Sequence, residues 1–194
     1  MKKIMFSDRF GLTQAVLDGR KTMTRRMIKA PKKMEGKDVY GFAVAKRPGS
    51  NEWIEVMALD EDEGMINNIL PKYKPGEVVA VAQSYKEVYW REPYVFPDFT
   101  AESPGWRNKM FVASDFMPHQ IRITNVKVER LQDISDKDCV KEGIWEAQQV
   151  NYTSIDGIPY SPREAFAALI NKVSGKGTWE SNPWVFVYEF ELVK

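Results

Sequence analysis

Hydrophobic residues recur along this chain with two different periods, and those periods divide it into strands and helices. Alternation with period two marks residues 121–128, where Ile121, Ile123, Val126 and Val128 are interleaved with polar side chains, as expected of a half-buried strand. It returns at residues 184–193, where Trp184, Phe186, Tyr188, Phe190 and Leu192 share one face of a long predicted strand. Residues 78–82 form a continuous apolar run behind the turn Lys74-Pro75-Gly76-Glu77, which suits a strand covered on both faces. Shorter strands are predicted at residues 3–6, 22–28, 39–45, 53–58 and 110–113. Helical spacing appears in three places. Phe10, Leu12, Ala15 and Val16 give one face to a helix opened by Ser7 or Asp8 and ended by Gly19. Ser135 with Asp138 opens a second helix, which stops at Gly143. Ser161-Pro162-Arg163-Glu164 is a capping box with proline at the first helical position. It leads into Phe166, Leu169, Ile170 and Val173, a core-facing stripe broken by Gly175 and Gly177. Strands and helices do not alternate as βαβ units. The expected fold is therefore α+β: a small mixed β-barrel with about three flanking helices, in one domain spanning residues 1–194.

Charge and cysteine use narrow the function. With 28 basic and 27 acidic residues the net charge is +1, so broad electrostatic binding to nucleic acid is not expected and any phosphate contact must be local. A single cysteine, Cys139, excludes an internal disulfide framework and a multi-cysteine zinc site, and fits a reducing cytoplasm. A single histidine, His119, disfavours Ser-His-Asp and Cys-His catalysis. The basic start, Met1-Lys2-Lys3-Ile4, lacks a signal-peptide apolar region, and no stretch reaches the length of a membrane span. Neither a metal nor a cofactor is expected. The acidic run Asp60-Glu61-Asp62-Glu63 reads as a solvated turn.

The densest chemistry lies in Gly19-Arg20-Lys21-Thr22-Met23-Thr24-Arg25-Arg26. A lysine that sheds its proton beside a hydroxyl can drive nucleophilic chemistry, and arginines suit a phosphate or a developing oxyanion. The same run also fits a solvated basic turn. The aromatic stretch at residues 89–106, with Tyr89, Trp90, Tyr94, Phe96, Phe99 and Trp106, fits either a loop folded over the core or a stacking surface.

Several of these segments, taken in order, resemble the ASCH domain family. They are Gly19-Arg20-Lys21-Thr22-x-Thr24, Pro75-Gly76-Glu77 before a strand, and residues 129–135 leading to Glu142-Gly143-Ile144. The ending at residues 177–185 is similar to the long phage and prophage variant of that family. Residues 30–72 and 86–108 carry little of the resemblance and read as elaborations. The resemblance implies a PUA-like barrel and recognition of a nucleoside or single-stranded RNA. It also implies a site like that of amidohydrolases acting on N4-acetylcytidine, with Lys21, Thr24 and Glu142 as the catalytic group. Arg20, Arg25 or Arg26 would then steady an oxyanion or a phosphate. The strand after Gly76 departs from the related phage proteins. Ala82 and Gln83 stand where an arginine and a glutamate are usual, while Ser84 and Tyr85 keep a hydroxyl and an aromatic for ligand contact. A monomer is expected. The alternatives are a non-catalytic RNA-binding module, or a phage-type accessory protein that contacts another protein through residues 89–106.

Overall fold

The computed structural model describes residues 1–46, 49, 53–89, 100–144 and 161–193. It is a mixed α+β structure built on a five-stranded sheet. The strands are β1 (Lys3–Ile4), β2 (Met23–Met27), β8 (Val78–Val81), β9 (Gln120–Arg130) and β10 (Trp184–Leu192), in the order β1-β8-β9-β10-β2. β1 runs parallel to β8, and every other pair is antiparallel. The alternating segments become the two long central strands; β10 also buries Val185 and Val187 on the face opposite its aromatic residues. Ile121, Ile123, Phe186, Tyr188 and Phe190 all enter the core. Among the described residues no ladder joins β1 to β2, so the sheet has two ends and is not closed by main-chain pairing. A side chain spans part of that seam: one Arg26 Nη donates to the Met5 carbonyl at 2.6 Å.

The segment at residues 33–68 builds separate small sheets. β3 (Lys33–Met34) pairs with β4 (Lys37–Asp38). β5 (Gly41–Lys46), β6 (Trp53–Leu59) and β7 (Met65–Asn68) form a meander that sends Val56 into the main core. Asp60–Glu63 is the expected turn. Glu61, Asp62 and Glu63 are exposed, and Asp60 ties the turn, its carboxylate accepting from the Asp62 and Gly64 amides.

The predicted N-terminal helix is interrupted: a 3-10 turn covers Asp8–Phe10, Gly11 takes a left-handed φ of 66°, and α1 is only Leu12–Leu17. α2 (Tyr85–Tyr89) opens the aromatic stretch, which had been expected as loop. Trp90, Tyr94, Phe96 and Phe99 of that stretch lie outside the described residues. α3 (Asp136–Lys141) begins where Ser135 accepts from the Asp138 amide, and α4 (Pro162–Ser174) begins with the predicted capping box. The expected strand at residues 110–113 is instead a 3-10 turn, Lys109–Phe111. Asn108 caps it by accepting from the Met110 amide, and the Lys3 ammonium takes the Met110 and Val112 carbonyls that a strand partner would need.

Candidate functional site

The chain reverses sharply after α1, and that reversal places Lys21. The Gly19 amide donates to the Val16 carbonyl, and the Lys21 amide donates back to Ala15 at 2.8 Å. The Thr22 amide then donates to the Lys141 carbonyl at 2.9 Å, docking the entry to β2 on the C-terminal end of α3. Helix ends carry carbonyls without intrahelical partners, and a cation there is favourable. Lys21 fills that role. Its Nζ lies 2.6 Å from the Glu142 carbonyl and 2.7 Å from Glu142 Oε2. Gly143, at φ 98°, lets the chain turn away directly after Glu142.

Both partners are removed from water: Lys21 is 2 % exposed and Glu142 4 %. Burial pushes the Lys21 ammonium below the usual lysine range, and the Glu142 carboxylate opposes this without cancelling it. The second oxygen of Glu142 is held by Arg25, whose Nη1 lies 3.1 Å away. The Arg25 guanidinium also grips Glu129, with Nε and one Nη at 2.9 and 2.6 Å from Oε1, and lies 3.5 Å from Asp138. Burial alone would lower Arg25, but Glu142 and Glu129 outweigh it and the net direction is up. Arg25 is thus a structural tie among three carboxylates. Its guanidinium, expected to steady an oxyanion or a phosphate, is held by these carboxylates.

Lys21, Thr24 and Glu142 line one cavity of about 250 Å³, walled by Phe6, Leu12, Leu131, Phe166 and Leu169. That is just below the roughly 300–1,000 Å³ of pockets for drug-sized ligands, so the space suits a small ligand. Thr24 is 5 % exposed and pairs with Tyr188 through its backbone. Its hydroxyl makes no hydrogen bond among the described residues, which leaves it available to a ligand.

The other expected ligand contacts divide. Arg26 is exposed and lines the cavity. Arg20 does not line it; its guanidinium pairs with Asp18 at 2.6 Å on the surface. Ser84 and Tyr85 also lie outside the cavity lining, contrary to expectation. Ser84 caps α2 through reciprocal bonds with Glu87, and the Tyr85 hydroxyl accepts from the Ala113 amide within a second, smaller core. Sequence reasoning passed over Glu129, Asp138 and the rings of Phe6 and Phe166 as parts of the site. In the sequence Glu129 opens the 129–135 segment and is a charged side chain near the end of an alternating strand, and neither feature places it beside Arg25.

Among the described residues no group of acidic, histidine and cysteine side chains is placed to hold a metal, and no helix is long and apolar enough to cross a membrane. No family model, curated protein or solved structure matches the chain.

Proposed function

We propose that this cavity recognises a nucleoside and hydrolyses an amide on its base, as in N4-acetylcytidine. We also propose that the open sheet is a PUA-like barrel of the ASCH type, its seam bridged by the Arg26–Met5 contact. The observation that carries the functional reading is the meeting of a buried amine, a hydroxyl with no hydrogen bond among the described residues and a carboxylate at one base-sized cavity. Thr24 Oγ1 attacks the acyl carbon while its proton passes to Lys21 Nζ in those molecules whose lysine has shed its own proton, a loss that burial favours. The C–N bond then breaks, and Lys21 returns that proton to the departing exocyclic amine. Water hydrolyses the acyl-threonine ester, releasing the acid. Glu142 orients the amine throughout and supplies the counter-charge when Lys21 is protonated.

The test is chromatographic release of cytidine from N4-acetylcytidine. Wild-type protein is expected to release it. Thr24→Val, which keeps the side-chain shape, and Lys21→Met are expected to release none. Release by folded Thr24→Val at the wild-type rate would eliminate the nucleophile. Glu142 holding Lys21 through both its carboxylate and its carbonyl supports a second reading, a binding-only module. That reading is favoured if wild-type protein binds cytidine without turnover.

A further inference from the structure

The carboxylate that holds Lys21 also holds a second cation. Glu142 Oε2 takes the Lys21 ammonium at 2.7 Å, and Oε1 takes Arg25 Nη1 at 3.1 Å. Arg25 is itself fixed from its far side. Its Nε and one Nη donate to Glu129 Oε1 at 2.9 and 2.6 Å, and Asp138 lies 3.5 Å away. The Phe166 ring of α4 lies 6.0 Å from the guanidinium, and the side chain is 1 % exposed. So anchored, Arg25 stays on Glu142 and does not swing to a ligand, although it lines the cavity.

A guanidinium stays charged throughout the pH range of a folded protein. That decides what happens when Lys21 gives up its proton. Beside Lys21 alone, Glu142 would become a buried carboxylate without a counter-charge, a costly state. With Arg25 on its other oxygen, Glu142 keeps a cationic partner whether Lys21 is charged or neutral. The amine geometry agrees. Nζ donates to the Glu142 carbonyl at 2.6 Å and to Oε2. A neutral amine has two hydrogens, so both bonds survive loss of the proton and the lone pair is left unspent.

Removing Arg25 would strand Glu142 more than its other partners. Glu129 keeps Lys127 at 2.9 Å, and Asp138 keeps Lys141 at 3.7 Å. Burial bears most on the Lys21 proton; Glu142 favours the proton, and Arg26 and Arg25 oppose it. Arg26 acts through space. It donates to the Met5 carbonyl and lies 5.7 Å from the Phe6 ring, which Lys21 faces at 5.8 Å.

We infer that Arg25 is a positioning residue for Lys21: by holding the second oxygen of Glu142 it keeps that carboxylate paired in both charge states of the amine, so the buried lysine can accept a proton and return it. This rests on the hydrolytic reading of the cavity, in which Lys21 takes the Thr24 proton and passes it to the leaving amine. Glu129 and Asp138 hold Arg25 to that task.

The test is an NMR titration of the full chain carrying lysine labelled with 13C at Cε, with Lys21→Met assigning the Lys21 signal. Arg25→Met is expected to raise the Lys21 midpoint, so that below it the neutral fraction falls about tenfold. Glu129→Gln removes a negative charge and frees Arg25 to draw closer to Glu142; it is expected to lower the midpoint or leave it in place. A site merely loosened and wetted would move Lys21 up toward its ordinary value in both variants. An unchanged or lowered midpoint in Arg25→Met, or a raised one in Glu129→Gln, overturns the inference. If Arg25→Met does not fold, the sign in Glu129→Gln decides alone. Cytidine release from N4-acetylcytidine keeps the two readings apart. In Arg25→Met the acid limb of kcat/KM is expected to follow the Lys21 midpoint upward. Wild-type turnover with no midpoint change in Arg25→Met sinks the role of Arg25 alone. The midpoint change without wild-type turnover upholds the hold of Arg25 on the Lys21 proton and sinks hydrolysis alone.

Discussion

The Lys21–Glu142 pair can be measured through a double-mutant cycle of Lys21→Met and Glu142→Leu. Both side chains are almost fully buried, so solvent screening does not dilute the interaction. Breaking such a pair from one side costs about 3–5 kcal/mol, because the other charge is left without its partner. The geometry places Lys21→Met near the lower figure. Met keeps most of the stem, and Glu142 Oε1 still has Arg25 Nη1 at 3.1 Å. Glu142→Leu leaves two cations. Lys21 can shed its proton, which burial already favours, and Arg25 retains Glu129 at 2.6 Å. The double variant removes both charges together, so it should be more stable than the sum of the single losses predicts, by about 2 kcal/mol. Urea unfolding followed by tryptophan fluorescence at neutral pH reads all four corners. Single costs that add to within about 0.5 kcal/mol would show that the two groups do not act as one unit, and the reasoning about the site would fail with them.

Two further outcomes follow from the titrating groups. Because Lys21 is depressed in the folded chain, the unfolded chain holds that proton to higher pH. Stability relative to Lys21→Met should therefore rise from the lowered Lys21 value up to about pH 10.4, and a falling difference would reverse the assignment. Cys139 has the opposite sign. Burial pushes its thiol up to about 12, so its contribution is present below the ordinary thiol value and is lost as pH rises through the folded one. It should resist iodoacetamide at pH 8 in the native protein and react on unfolding; rapid native labelling would contradict the buried placement.

The shape of the site explains why three arginines in one short run have three fates. β2 is the last strand of the sheet, so its side chains reach two different surroundings. Arg25 lies over the face covered by α3 and meets carboxylates there, while Arg26 sits at the seam with β1. Arg20 precedes the strand and stays on the surface with Asp18. A basic run read as one patch is thus one buried tie, one seam cation and one surface pair.

Much of the secondary structure was legible in the chain because it depends on local spacing. β9, β10 and α4 each carry their own buried face, and Ser135 and Ser161 satisfy amides within three residues. Local rules failed where distant groups competed. The 110–113 strand lost its carbonyls to Lys3, and the N-terminal helix broke at Gly11. For the site, the order of short segments around Lys21, Thr24 and Glu142 suggested a common role, but spacing alone could not bring them together. Lys21 and Glu142 are 121 residues apart, and Arg25 and Glu129 are 104 apart. By itself the sequence determined which residues alternate, which cap and which carry chemistry, since those follow from neighbours along the chain. Which lysine is buried, which arginine is tied and which two strand ends face each other were decided only by the fold. Only the fold places β2 and β9 on either side of β10 and brings the end of α3 to Lys21, and desolvation and ion pairing depend on that placement.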